Sequence, residues 1–204
     1  MGLHKVLIIP GYGHRGPDGT IFKGETIGKV NQQDAMNIYR QSLEDNLELE
    51  RVRFQTLEVG RIQKVHQSLR HKLIEPNTLV LHLRIGWFPA TSKKEYNQST
   101  IYYSSSRSNK LAEEILDCMH DWGHCIVHGH KCANPKNVRG KNYNFLQVDK
   151  TVAVMIEPFS LNGPHAETYL NGLNNLGRDL ARAIANYGLV REKGIFSMPP
   201  SHFR

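Results

Sequence analysis

The chain has 204 residues, 39% of them hydrophobic and 22% charged, which is the composition of an ordinary globular protein at a length sufficient for one domain with its own core. No apolar stretch approaches the roughly 20 residues that span a bilayer, so membrane insertion is not expected, and three cysteines gathered in one segment do not make a disulfide framework. The net charge of +7 favours an anionic partner or simply solubility, but the Lys and Arg residues are dispersed and form no aromatic-interleaved basic stripe, so nucleic acid is not expected as that partner.

Residues 5–9, KVLII, are short, rich in β-branched side chains and bounded by Pro10 and Gly11, which predicts a buried strand. The opening apolar run is too brief for a secretory leader, so synthesis in a cytoplasm without a signal peptide is expected. After the glycine-rich loop PGYGHRGPDG, residues 31–46 carry Ala35, Ile38, Tyr39 and Leu43 at helical spacing, with Asn31 or Asp34 able to cap the start. RVRFQTLE (51–58) alternates like a strand, and 60–73 sets Ile62, Val65, Leu69 and Leu73 on one helical face. Pro76 and Asn77 break the chain before TLVLHLRI (78–85), a continuous apolar strand interrupted by His82 and Arg84. A strand at 100–104 precedes a helix at 107–119 with Leu111, Ala112, Ile115, Leu116 and Met119 inward. Residues 120–150 read as polar and irregular, 151–159 as a buried strand, and 165–188 as a long closing helix that ends at Gly188. Alternating strands and helices of this kind predict an α/β fold: a single domain built on a mostly parallel twisted sheet with helices on both faces.

In such a sheet, reactive groups collect where strands end at their carboxyl edge. The first expected strand leads into His14 and Asp18, with Glu25 shortly after; the third carries His82; the last closes with Glu157 before Pro158. Imidazole and carboxylate are the nitrogen and oxygen ligands that zinc prefers, and a catalytic zinc keeps three protein ligands and an open position. A His, Glu, His set from separate loops with one more carboxylate as base would be a metal hydrolase. Each residue also has a plainer reading: His14 as a hydrogen-bonding loop residue, His82 as a satisfied core histidine, and Glu25 as a surface charge beside Lys23. Glu157 is harder to assign to packing, because a carboxylate closing the buried run VAVMIE is costly unless paired, metal-bound or functional.

PGYGHRGPDG followed by Glu25, the strand with His82, the stretch STIYYSSSRSNKLAEEI, and VAVMIEPFSLN before a final helix together resemble the zinc-dependent N-acetylmuramoyl-L-alanine amidases of bacterial autolysins and phage endolysins. The resemblance runs in order over roughly residues 4–188, which implies an amidase-like catalytic domain over 1–190 and a C-terminal tail over 191–204. It implies one zinc ion held by His14, Glu25 and His82, with Glu157 as general acid/base and with Arg84 and Asn162 on the substrate. Matching His14 requires an extra Gly-Tyr after Pro10; laid without gaps, the family pattern instead sets Tyr12, Ile27 and Arg84 at the three ligand places. The implied reaction is hydrolysis of the amide between N-acetylmuramic acid and the L-alanine of the peptidoglycan stem. The implied partner is peptidoglycan, met by a monomer after holin-type release or as a virion-associated lysin. A metal-free wall-binding or phage structural protein on the same fold is the alternative.

CMHDWGHCIVHGHKC (118–132) holds three Cys and four His. A structural zinc on Cys125, His128, His130 and Cys132 is conceivable by residue type, but the spacing leaves almost no loop between paired ligands, and a polar loop is the plainer reading.

Overall fold

The computed structural model describes residues 5–16, 18–57, 78–87, 99–103, 106–120 and 152–193. The apolar run Lys5–Pro10 forms β1, and two small hairpins follow: β2 (His14–Arg15) with β3 (Ile21–Phe22), then β4 (Thr26–Ile27) with β5 (Val30–Asn31). Helix α1 spans Gln32–Leu49 and is capped by Asn31, whose side chain accepts from the Asp34 amide, so the first of the two expected caps is the one used. Strands β6 (Phe54–Thr56), β7 (Thr78–Leu83) and β8 (Thr100–Tyr103), helix α2 (Ser106–His120), strand β9 (Val152–Glu157) and helix α3 (Ala166–Lys193) complete the order. The expected helix over 60–73, the Cys/His segment beyond His120, the Met119 side chain and the last eleven residues lie outside the described residues.

The five-stranded sheet has the order β6-β1-β7-β9-β8. β1 pairs in parallel with β6 and β7, and β7 with β9, whereas β8 runs antiparallel to β9 at the edge. The mostly parallel sheet read from the sequence is therefore present. The three helices among the described residues share one side: Val6, Ile8, Leu79, Leu81, Leu83, Val154 and Ile156 point into a single core with Tyr39, Leu43, Leu111, Ile115, Leu173 and Leu180. Side chains of the other parity, including Leu7, Ile9, Val80, His82, Ala153 and Met155, are buried too, as expected for a parallel sheet covered on both faces.

Two helical expectations need correction. Ile38 is 43% exposed, because the buried stripe of α1 runs through Gln32, Ala35, Met36, Tyr39, Leu43 and Leu47 and leaves position 38 beyond its edge. Helix α3 does not stop at Gly188 but continues to Lys193. Where α1 crosses α3, a Cβ at Gly177 would stand 2.6 Å from both the Leu43 nitrogen and the Tyr39 carbonyl oxygen, so the missing side chain sets the helix separation. Ser42 donates to the Asn174 carbonyl at the same crossing.

Candidate functional site at the carboxyl rim of the sheet

Register brings the ends of the central strands together. Ile9 lies beside His82 and His82 beside Met155. One step further, the Gly11 amide donates to the Leu83 carbonyl (2.9 Å) and the Arg84 amide to that of Ile156 (3.0 Å), so Gly11, Arg84 and Glu157 form a row across the rim. Gly11 has to be glycine: a Cβ there would sit 2.6 Å from the Leu83 oxygen, 2.7 Å from Arg84 Cγ and 3.3 Å from His82 Nε2. Beyond the rim the ladder resumes, with Gly86 bridging in parallel to Ser160 and the Leu161 amide donating to the Gly86 carbonyl (2.9 Å).

Glu157 continues the face of Ala153 and Met155 and is largely buried. Its Oε1 lies 3.5 Å from Arg84 Nε, and its Oε2 accepts a long hydrogen bond from the Tyr102 hydroxyl at 3.4 Å. Tyr102 reaches the carboxylate because antiparallel β8 starts at the rim, with Thr100 beside Glu157. The Arg84 guanidinium also stands over the Tyr12 ring, with Cζ 5.8 Å from its centroid. Tyr12, fully buried, donates its hydroxyl to the Ile85 carbonyl at 2.5 Å, and burial pushes its phenol up while the Arg84 charge pulls against that shift. Tyr39 braces the row from below by donating to the Arg84 carbonyl (2.9 Å). Gln32 joins the loop to the end of β7: its Nε2 donates to the Ile85 (2.7 Å) and Gly86 (3.2 Å) carbonyls, and its Oε1 accepts from the Glu25 amide (2.8 Å).

The residues expected to hold zinc are placed as follows. His14 is buried in the β2–β3 hairpin, and its Nε2 meets the Pro10 carbonyl at 2.8 Å. A carbonyl only accepts, so Nε2 carries the proton; the buried Nδ1 is then an acceptor without a hydrogen-bond partner among the described residues. His82 is buried on the same face as Glu157. Glu25 is exposed on the loop between β3 and β4, tied to Gln32 through its backbone. Asp18 is also exposed, its carboxylate accepting from the Thr20 hydroxyl at 2.6 Å, which holds its pKa below the usual value. Asn162 is half-buried in the turn between β9 and α3. Tyr12, Gln32 and Tyr102 were not among the sequence candidates. Tyr12 carried a signal nonetheless, a bulky aromatic between two glycines directly after a buried strand.

Comparison with solved structures places this architecture. An N-acetylmuramoyl-L-alanine amidase, AmiC2 of Nostoc punctiforme, superimposes with a TM-score of 0.63 at 16% identity over 94% of this chain and 98% of that one. The chain has the amidase fold. The catalytic domain of an endolysin targeting Clostridia difficile matches with a TM-score of 0.65 at 16% identity, covering 91% of this chain and 97% of that one. The N-acetylmuramoyl-L-alanine amidase from Clostridium difficile 630 matches with a TM-score of 0.66 at 15% identity, covering 95% and 98%. No family model and no curated protein sequence matches the chain.

The amidase resemblance implies zinc, and the donor set can be tested against it. Among the described residues no three His, Cys, Asp or Glu side chains come together as a metal-binding group, so His14, Glu25 and His82 are not assembled into one. The partner drawn up against Glu157 is instead the Arg84 guanidinium. Among the described residues, then, no ready-made zinc-binding group stands beside Glu157.

Proposed function

We propose that this amidase-fold protein acts on peptidoglycan and hydrolyses the amide between N-acetylmuramic acid and the stem L-alanine, with Glu157 as general acid/base. The observation that carries the reading is the position of Glu157, a largely buried carboxylate closing a central strand at the carboxyl rim, between Arg84 and the Tyr102 hydroxyl. Burial of this kind is spent on function more readily than on stability. Glu157 takes a proton from water as the water oxygen bonds to the amide carbon. The C–N bond then breaks and the proton passes to the departing alanine nitrogen, leaving a lactyl carboxylic acid and a free amine. Asn162 in the adjoining turn and Arg84 face the substrate. An opening of about 740 Å³ at the β2–β3 hairpin is lined by Asp18, Ile21, Phe22 and Lys23, and Phe22 lies against Tyr12 at 5.9 Å between ring centroids. The protein would meet the wall as a monomer after release from the cell that makes it or from a virion.

The Arg84–Glu157 ion pair favours a second reading, a wall-binding protein without turnover, because a carboxylate oxygen turned to a guanidinium is engaged in the protein's own structure. Release of stem peptide from purified peptidoglycan separates the two. The hydrolase releases peptide, and Glu157→Gln lowers the rate by about 10² to 10⁴, the usual worth of a general acid/base. A wild-type protein that sediments with the wall and releases nothing establishes the binding reading.

A further inference from the structure

The β2–β3 hairpin turns apolar side chains outward while its backbone is firmly held. Phe22 is 58% exposed and Ile21 49%, yet Phe22 pairs with His14 and Ile21 with Arg15, and the Phe22 carbonyl accepts from the Gly13 amide at 2.7 Å. The Phe22 ring is backed by the fully buried Tyr12, 5.9 Å away between centroids with the planes 32° apart, and Tyr12 in turn stands beside Arg84, whose Cζ is 5.8 Å from its centroid. Phe22 is therefore one ring removed from the rim. Ring and isoleucine line the opening of about 740 Å³ together with Asp18, Thr20 and Lys23. The exposed Lys23 side chain has no hydrogen bond or ion pair among the described residues. The Asp18 carboxylate is fixed through one oxygen, Oδ1, which accepts from the Thr20 hydroxyl (2.6 Å) and amide (3.1 Å). The described lining thus carries one cation and one anion beside a rigid apolar shelf.

We propose that this hairpin is a carbohydrate subsite: one N-acetylhexosamine ring of a neutral glycan lies on Phe22 and Ile21, with Asp18 and Lys23 hydrogen-bonding its hydroxyl and acetamido groups. The inference rests on the peptidoglycan reading for the identity of that glycan. A pyranose chair with equatorial substituents presents a face of axial C–H groups, slightly positive and apolar, which suits the negative face of an aromatic ring. Its hydroxyl and acetamido groups project sideways, where a carboxylate can only accept from them and an ammonium can only donate. The paired charges decide between occupants. A stem peptide, which carries free carboxylates, meets repulsion from Asp18 as it meets attraction from Lys23, whereas a neutral polyhydroxyl ring uses both. An exposed aromatic on a held backbone also loses little freedom when a ligand settles on it, so contact there is converted into affinity rather than spent on ordering.

The test uses the full chain and NMR titration with two probes: N,N′,N″-triacetylchitotriose, a neutral N-acetylhexosamine trimer without peptide, and L-alanyl-D-isoglutamine, the peptide side without sugar. The trimer is expected to bind the wild type and to bind about tenfold more weakly to Phe22→Ala, the scale of loss on truncating an aromatic anchor. Phe22→Tyr, which keeps the ring face, is expected to bind within about twofold of the wild type, and Phe22→Leu, which keeps only apolar bulk, to bind as poorly as the alanine variant. Should Phe22→Ala not fold, the tyrosine and leucine variants carry the same comparison. The dipeptide is expected to be indifferent to all three. No binding of the trimer by the wild type, trimer binding unchanged in Phe22→Leu, or dipeptide binding lost with Phe22 overturns the inference. So does self-association in sedimentation equilibrium that Phe22→Leu abolishes, because a second copy of the chain then covers the shelf. Stem-peptide release reads the hydrolase proposal separately. A protein that binds the trimer through Phe22 and releases nothing loses the hydrolase reading and keeps the subsite, and one that releases peptide while its trimer binding ignores Phe22 loses the subsite alone.

Discussion

Two phenols act as struts under the rim, and their chemistry is measurable. Burial raises Tyr39 well above the ordinary phenol value of 10.0 and raises Tyr12 in the same direction, each while its hydroxyl donates to a backbone carbonyl at the end of β7. The folded state therefore holds these protons more tightly than the unfolded state does. Their stabilising contribution is complete below pH 10 and is lost as pH rises from 10 through the higher folded values. Denaturant melts between pH 8 and 11 should show wild-type stability falling at the alkaline end. Tyr39→Phe should fall less steeply there, after losing about 1 kcal/mol at neutral pH for the missing hydrogen bond. At this scale the sequence was only partly legible. Glu157 stood out because a carboxylate at the end of VAVMIE has no bland explanation, and it lies on the rim as read. The pairing of Arg84 with Glu157 was hidden, because residues two apart on a strand share a face: His82 and Arg84 both qualify by parity, and only the register with Glu157 distinguishes them. Gln32 gave no signal, since its work is to satisfy carbonyls 53 and 54 residues away.

Among the described elements, strands and helices followed the apolar periodicity closely, and the departures have identifiable causes. Ile38 was placed inward because it is apolar, yet the stripe that meets α3 is set by where the helices touch. Gly188 resembled a stop signal, but a glycine in a helix costs only about 1 kcal/mol relative to alanine, and helix α3 runs through it. Gly177, in the same helix, illustrates the opposite case. In isolation Gly177→Ala would favour the helix by about 1 kcal/mol. Here the added methyl would meet the Leu43 nitrogen and Tyr39 carbonyl of α1 at 2.6 Å, main-chain atoms that cannot rotate away. Overpacking of this kind costs about 1 to 3 kcal/mol. Urea titration of Gly177→Ala should show a lowered midpoint, and an unchanged or raised one would mean that the two helices separate freely.

For the whole molecule, the alternation of strands and helices foretold a mostly parallel sheet, and the order β6-β1-β7-β9-β8 places three strand ends side by side where chemistry was expected. The antiparallel edge was not legible, because TIYY reads the same in either direction and only its partner decides. Pairing of Gly86 with Ser160 has one more consequence. Arg84 and Glu157 lie between two stretches of main-chain pairing, the β7–β9 ladder before them and this bridge after them, so neither sits on a loose loop. Moving the two backbones apart would require unzipping the centre of the sheet. Amide hydrogen exchange reads this directly: the protons of Gly86 and Leu161 should exchange as slowly as those of Val80 and Val154 in the strand interiors, whereas a hinged rim would release them orders of magnitude sooner.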